Sequence, residues 1–243
     1  MSGSRDCGPV SWRFGLVALD FDGTLADSYA WLVSALNRLA PRYGFRAVSP
    51  AEEAELRQLG AAAILRRLDI ALWKRPLLAR ALRRLMAREI HQVRLFPGVA
   101  DLLCTLGSSG LPLAIVSSNS RGNIAAVLGE SQLGLFECVE SGLGLGGKAT
   151  RLRALRRRYR LEPGRLLYIG DEMRDLQAAR AAGAASGAVS WGYNDPSALR
   201  TLEPEYLFTQ PREIGRLVSG LSGVSDASLD TSALDQALAE KEL

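Results

Sequence analysis

The sequence predicts an α/β fold: a doubly wound parallel sheet, interrupted early by an inserted helical segment. Three observations carry that expectation. Apolar runs of strand length end in polar, chemically capable residues at Asp20, Ser117 and Asp171. After about residue 96, helical patterns alternate with such runs, as strand–helix–strand units of a parallel sheet require. Between about residues 28 and 94 the alternation stops, and helical periodicity continues without a convincing strand.

Each element follows from local pattern. Residues 14–19 form the first strand, apolar enough to be buried on both faces. Residues 111–117 and 165–171 form the second and third, and 184–190 and 206–209 are weaker strand patterns. Helical patterns cover 98–106, 121–128, 148–159 and 173–182, the last closed by Gly183. In the insert, Ser28 is placed to cap the first helix. Ser49-Pro50-Ala51-Glu52 fits a capping box with proline at the first helical position. Pro76 opens a helix through Leu77, Leu78, Leu82, Leu85 and Met86, and Phe96-Pro97-Gly98 reads as the return hinge. The chain thus divides into a loose arm at 1–12, a core at 13–27 and 96–218, a helical insert at 28–95, and a Ser/Gly/Ala-rich tail at 219–243.

Composition excludes several classes. With 243 residues, 47% apolar and 23% charged, the chain can bury one good core plus a small insert. No run approaches the roughly 18 apolar residues that cross a bilayer. The first residues lack an apolar signal core, so a cytoplasmic location is expected. Cys7, Cys104 and Cys138 are odd in number and without CxxC spacing, which argues for reduced thiols and against a disulfide frame or zinc site. The net charge of +4 is clumped, with Arg151, Arg153, Arg156, Arg157, Arg158 and Arg160 on one helix. Leu152, Leu155 and Tyr159 give that helix an apolar face, leaving the arginines solvated. Without interleaved aromatics or a reader motif, nucleic acid is not an expected partner, and a general attraction for anionic substrates is the modest inference.

Asp20 and Asp22 stand two residues apart at the end of the first strand, where open α/β sheets place their chemistry, and Gly23 lets the chain turn. Two like charges this close need a cation or a shared proton, unless the segment is simply an Asp-rich turn. Taken singly, Lys148 reads as a solvated helix-start lysine and Ser117 or Ser118 as a helix cap. Asp171 with Asp175, four apart, reads as an acidic helix N-terminus.

Together the motifs say more. Asp20-Phe21-Asp22-Gly23-Thr24-Leu25, the strand ending at Ser117-Ser118-Asn119, Gly147-Lys148-Ala149, and Gly170-Asp171-Glu172-Met173-Arg174-Asp175 resemble the haloacid dehalogenase superfamily over roughly residues 14–210. The insert is similar to that superfamily's small α-helical cap, and the chain looks most like its phosphoglycolate-phosphatase-like members. The resemblance implies a Rossmann-like core. It makes Asp20 the nucleophile that becomes an aspartyl phosphate, and Asp22 the general acid and base. It implies Mg²⁺ held by Asp20, the backbone carbonyl of Asp22, Asp171, and Asp175 directly or through water. Ser117, Ser118 and Lys148 would contact phosphate oxygens. Asp22 favours phosphoryl chemistry, since the superfamily's dehalogenases do not need that second aspartate. In the cap, Tyr29, Trp31, Arg57, Arg66 and Arg67 are the candidates to see substrate.

The expected activity is therefore Mg²⁺-dependent hydrolysis of a small phosphorylated metabolite, with phosphoglycolate the leading substrate. Alternatives are a phosphomutase, a non-catalytic binding or regulatory protein on the same scaffold, and a nucleic-acid phosphatase suggested by the arginines. Residues 141–147 are glycine-rich but lack Walker spacing, and read as a flexible approach to Lys148. Glu172 is either a metal-site organiser or a plain helix-start carboxylate. His91 reads as structural, and residues 191–194 as either site rim or aromatic packing. A monomer or a homodimer is expected, with the surface around Trp73 and Leu77 as a dimer candidate.

Overall fold

The computed structural model describes residues 13–143 and 147–220. The expected N-terminal arm, the tail beyond Gly220, and residues 144–146 of the glycine-rich stretch lie outside the described residues. The chain enters through strand β1 (Leu16–Leu19) and β2 (Ala26–Asp27) into helices α1 (Tyr29–Tyr43), α2 (Glu53–Arg57), α3 (Ala61–Arg67) and α4 (Arg75–Glu89). It returns by β3 (Arg94–Leu95) to α5 (Val99–Ser108), β4 (Leu113–Val116), α6 (Arg121–Leu133), β5 (Cys138–Glu140) and α7 (Gly147–Arg158). The core is completed by β6 (Leu166–Gly170), α8 (Met173–Ala182), β7 (Ala185–Val189), α9 (Pro196–Arg200), β8 (Tyr206–Phe208) and α10 (Pro211–Val218).

Six strands form one parallel sheet in the order β5-β4-β1-β6-β7-β8. The four residues of β1 are all buried, because β1 lies between β4 and β6 and helices cover both faces. On one face Val17, Leu19, Ile115 and Ile169 pack with Leu103 and Leu106 of α5, Ile124 of α6 and Ile214 of α10. On the other, Leu16, Ala18, Val116 and Tyr168 pack with Leu152 and Leu155 of α7 and Ala179 of α8. Period-two alternation thus sends successive residues of one strand into two cores. After β5 the chain crosses back over β4 and β1 to reach β6, so the order reverses about β1. The carboxyl ends of β4, β1 and β6, which precede Ser117, Asp20 and Asp171, are adjacent at that reversal.

The sequence left β5 unassigned. It is a three-residue edge strand, Cys138-Val139-Glu140, too short and too mixed to show a pattern. The 184–190 pattern, weak in sequence because it is built from Ala, Ser and Gly, forms β7 with all five residues buried.

Helices α1–α4 have an apolar cluster of their own, with Val48, Leu56, Leu68, Ile70 and Leu78 buried. Two passes of chain connect them to the sheet. These passes pair antiparallel, Ala26 with Leu95 and Asp27 with Arg94, and Phe96 N donates to Leu25 O at 2.9 Å. The linker is therefore a two-stranded ribbon. Pro97 and Gly98 serve instead to start α5, with Gly98 in the left-handed region at φ 82°.

Two capping expectations change. Pro50–Glu52 is a 3₁₀ turn, and the Ser49 hydroxyl donates to the Glu52 carboxylate (2.8 Å) in place of accepting a backbone N–H. Arg46 also holds that carboxylate, at 2.6 Å, which removes it from a capping box. Ser28 makes no side-chain cap to α1 because its hydroxyl is engaged elsewhere, beside Asp22.

Candidate active site

Asp20 directly follows β1 and is 2% exposed. Its Oδ1 accepts the N–H of Phe21 (2.7 Å), and its Oδ2 faces Lys148 Nζ at 2.5 Å. Lys148 lies in the first turn of α7 and reaches Asp175 Oδ1 at 2.5 Å as well, so one buried ammonium bridges two carboxylates. Asp175 is placed by helix capping. Glu172 is the N-cap of α8 and Asp175 its N3 residue; the Asp175 carboxylate accepts the Glu172 N–H at 3.1 Å, and Asp175 N–H donates to Glu172 O at 2.8 Å. The Tyr168 hydroxyl lies below, 3.3 Å from Asp175 Oδ1 and 3.2 Å from Val116 O. Asp171, fully buried after β6, accepts from Thr24 Oγ1 (2.9 Å) and from the backbone N–H of Tyr193 (2.8 Å). Oxygens of Asp20, Asp171 and Asp175 all lie within 4.8 Å of one another.

Asp22 is held apart from this trio. Asn119 Nδ2 donates to both of its oxygens, at 3.1 and 2.9 Å, and Ser28 Oγ donates to Oδ1 at 3.0 Å. Asn119 is itself oriented, since its Oδ1 accepts from Ser120 N and Asn123 Nδ2, both at 2.8 Å. Ser28 also shares a 2.7 Å hydrogen bond with the Tyr193 hydroxyl. The four carboxylates thus divide into a cation-seeking cluster and one separately hydrogen-bonded group.

Charge follows that division. Burial pushes Asp20 up, against the pull of Lys148. Burial also raises Asp171 well above the usual carboxylate range, with Glu172, Asp175 and Asp20 adding to it. For Asp175 burial is outweighed by Lys148 and Arg174, and the group falls below its ordinary value. Lys148 is raised despite burial, by Asp175 and Asp20. Asp22 is pushed up to about 6, by burial first and by the Asp20 charge second, while Ser28 and Asn119 pull it down. A carboxyl raised by folding binds its proton more tightly in the native state, so it costs stability at neutral pH and ceases to do so as pH falls through 6 towards 4. In metal-free protein Asp22→Asn should therefore be more favourable at pH 7.5 than at pH 4 by roughly 1 to 2 kcal/mol, since the mismatch of its Nδ2 with Asn119 is the same at both. Denaturant melts at pH 7.5 and pH 4 check this difference.

Gly23 makes the crowded turn possible. It sits at φ +76°, and a Cβ there would stand 2.0 Å from Asp171 Oδ2. Gly23→Ala therefore has to displace a buried carboxylate as well as strain the backbone, and should cost about 2 to 4 kcal/mol in a chemical melt.

The other sequence candidates fall in different places. Ser117 is fully buried at the end of β4, its Oγ accepting from Asn119 N at 3.1 Å. Ser118 is half-buried, and the residue that caps α6 is Ser120. Glu172 is the N-cap of α8 and pairs with Arg174. Arg57 crosses from α2 to the core, donating to Gly192 O at 2.5 Å with its guanidinium 4.8 Å from the Tyr29 ring. Tyr29 in turn meets Tyr193 edge to face at 5.4 Å. Trp31 donates to Glu89, and Arg67 pairs with Glu55, both within the helical insert. Arg66 and His91 are exposed. Asn119, Thr24 and Ser28 carry no site role that the sequence marks, and Tyr193, either site rim or aromatic packing by sequence, lies against Asp171 and Ser28. Asn119 and Thr24 stand inside the recognised motifs, whereas Tyr193 lies 22 positions after the aspartate it touches, with no spacing to mark it.

A doubly wound parallel sheet with a buried carboxylate cluster at its reversal point, and a helical insert beside it, defines a capped α/β protein with an acidic site. The chain belongs to the haloacid dehalogenase-like hydrolases, whose family model matches residues 17–189. It is 38% identical over 206 residues to phosphoglycolate phosphatase of Synechococcus elongatus, covering 84% of this chain and 97% of that protein. It is 28% identical over 222 residues to phosphoglycolate phosphatase of Shigella dysenteriae, covering 79% and 87%. Its fold is shared with a haloacid dehalogenase-like hydrolase of Streptococcus pneumoniae, with a TM-score of 0.69, 22% identity, and coverage of 83% of this chain and 97% of that one. Among the described residues, no helix is long and apolar enough to cross a membrane.

Proposed function

We propose that this phosphatase hydrolyses a small phosphomonoester through a phosphorylated Asp20, with Asp22 moving the protons. The observation that carries the reading is the division of the carboxylates: Asp20 clusters with Asp171 and Asp175, while Asn119 and Ser28 hold Asp22 apart at a pKa of about 6. A buried set of hard oxygen donors suits a small divalent cation, so Asp20, Asp171, Asp175 and the backbone carbonyl of Asp22 would hold Mg²⁺. When bound, Mg²⁺ supplies the positive charge that offsets repulsion between a carboxylate and a phosphate.

A carboxylate oxygen of Asp20 attacks phosphorus, and the substrate's ester oxygen leaves. Asp22, protonated, gives that oxygen its proton and becomes a carboxylate. Water then takes the place vacated by the product alcohol. Asp22 accepts a proton from it as it attacks phosphorus, which releases phosphate and restores Asp20. A group near pKa 6 can serve both halves, because both protonation states are accessible near neutral pH. Lys148 and Ser117 act on the non-bridging phosphate oxygens, the lysine by charge and the serine by hydrogen bonding.

Substrate choice falls to Arg57 and Tyr29, the cap candidates that meet the core loop at Gly192 and Tyr193. The guanidinium suits a carboxylate on the substrate, and the names of the relatives point to phosphoglycolate. The test is a phosphate-release screen of phosphorylated metabolites with Mg²⁺. Fastest release from phosphoglycolate supports the reading, and no release from any phosphomonoester overturns it. Arg57→Met should raise KM for phosphoglycolate about tenfold or more, with a smaller change for a phosphoester that lacks a carboxylate. Net phosphate release without a bisphosphate activator separates the hydrolase from a mutase.

A further inference from the structure

The loop between β7 and α9 grips both halves of the molecule, and the Asn194 side chain bonds to each. Its side chain is buried, 3% exposed, in a loop that runs along the rim of the site. Oδ1 accepts from the backbone N–H of Met173 at 2.9 Å, the first residue of α8 and the second after Asp171. Nδ2 donates to two carbonyls of the cap, Arg57 O at 2.8 Å and Leu59 O at 3.0 Å. The backbone N–H of Asp195 donates to Arg57 O as well, at 2.8 Å, and Asn194 N approaches Asp171 O at 3.3 Å. The last carbonyls of a helix have no partner within it, and α2 ends at Arg57. Here the core supplies the missing donors. A side chain that donates two hydrogen bonds on one side and accepts on the other needs an amide, since a hydroxyl or a neutral imidazole has one proton to give.

We infer that Asn194 is a positioning residue that latches the cap shut. It fastens the cap segment carrying Arg57 to the same backbone that presents Asp171, so closing the cap and seating the substrate arginine are one event. With the cap swung away, Asn194 Nδ2 and the carbonyls of Arg57 and Leu59 lose one another and turn to water. Met173 keeps its bond to Oδ1, so the α8 terminus stays built. The inference deepens the proposed function, because it rests on the reaction taking place beneath the cap.

Asn194→Asp is the discriminating change. It keeps an acceptor for Met173 and sets a carboxylate oxygen against two carbonyls, which should open the latch without dismantling α8. Hydrogen exchange in the full-length protein, free of substrate, reads this directly. The Gln58 and Leu59 amides should exchange at least about tenfold faster than in wild type, with residues 173–182 unchanged. Lowering the pH to protonate the new carboxyl should return part of the protection, because an acid O–H can again donate. In turnover, KM for the best substrate should rise about tenfold or more while kcat falls less. Asn194→Ala should speed exchange at 58–59 too, without the pH-dependent recovery. Exchange at 58–59 equal to wild type, or a rise spread evenly through α8 and the sheet, overturns the latch in favour of an ordinary packing role. So does failure of both variants to fold. Because exchange is read without substrate, the latch can stand or fall separately from the identity of the phosphomonoester.

Discussion

Asp20→Asn should lower phosphate release by about four powers of ten or more while leaving the protein folded. The amide has nearly the carboxylate's shape, and the ammonium that would then face its Nδ2 retains a second carboxylate to turn to. Phe21 N–H still finds an acceptor at Oδ1, and Lys148 keeps Asp175. What disappears is the anionic nucleophile, and the other buried carboxylates of the cluster are already engaged. Asp175 is tied by Lys148 and the α8 cap, and Asp171 by Thr24 and the Tyr193 amide. Losing one of several buried carboxylates relieves repulsion and desolvation, which offsets the lost Asp20–Lys148 pair, so the metal-free variant should melt near wild type. Rate measured against a melting curve checks both halves. Inactivity with a collapsed melt would point to structural damage and leave the nucleophile unassigned.

Lys148→Met should have the second largest effect, and in two separate ways. In metal-free protein it leaves Asp20 and Asp175, 2% and 1% exposed, without the ammonium now 2.5 Å from each. Removing one partner from a buried ion pair commonly costs about 3 to 5 kcal/mol. The carboxylates can relieve part of that by taking up protons, and Asp20 is already raised by burial. Loss should therefore fall at the lower end of the range, and Mg²⁺ would recover some of it by supplying positive charge to the same carboxylates. Turnover with saturating Mg²⁺ should still be about 100- to 1,000-fold slow, because the charge proposed to act on the phosphate oxygens is gone. Lys148→Arg should not restore it: the ammonium fits as a point charge between two carboxylates, and a planar guanidinium does not. Paired melts with and without Mg²⁺, alongside kcat, separate the two effects.

The sheet was legible because β1, β4 and β6 are continuous apolar runs, each followed by a polar residue that folding would not bury without reason. β5 was not, since its pairing with β4 is set by the edge of the sheet and hardly by Cys138-Val139-Glu140 themselves. In the site, Asp20, Asp22, Lys148, Asp171 and Asp175 stood out through their order along the chain. Their partners did not. Ser28 reads locally as a helix cap, and only the fold shows its hydroxyl spent on Asp22 and Tyr193. Tyr193 and Asn194 fit either a site rim or plain packing in sequence, and only the fold shows them against Asp171 and the cap. Among Tyr29, Trp31, Arg57, Arg66 and Arg67 the sequence offered no ranking, because which arginine reaches the core depends on where α2 ends.

Covalent transfer to Asp20 is the central claim, and acid-quenched single turnovers test it most directly. The full-length protein would be mixed with Mg²⁺ and substrate carrying radiolabelled phosphate, quenched within milliseconds, reduced with borohydride and digested. The expected result is transient label on the protein, with Asp20 converted to homoserine and label absent from Asp20→Asn. Full phosphate release with no labelled protein at any time, together with inversion at phosphorus, would contradict it.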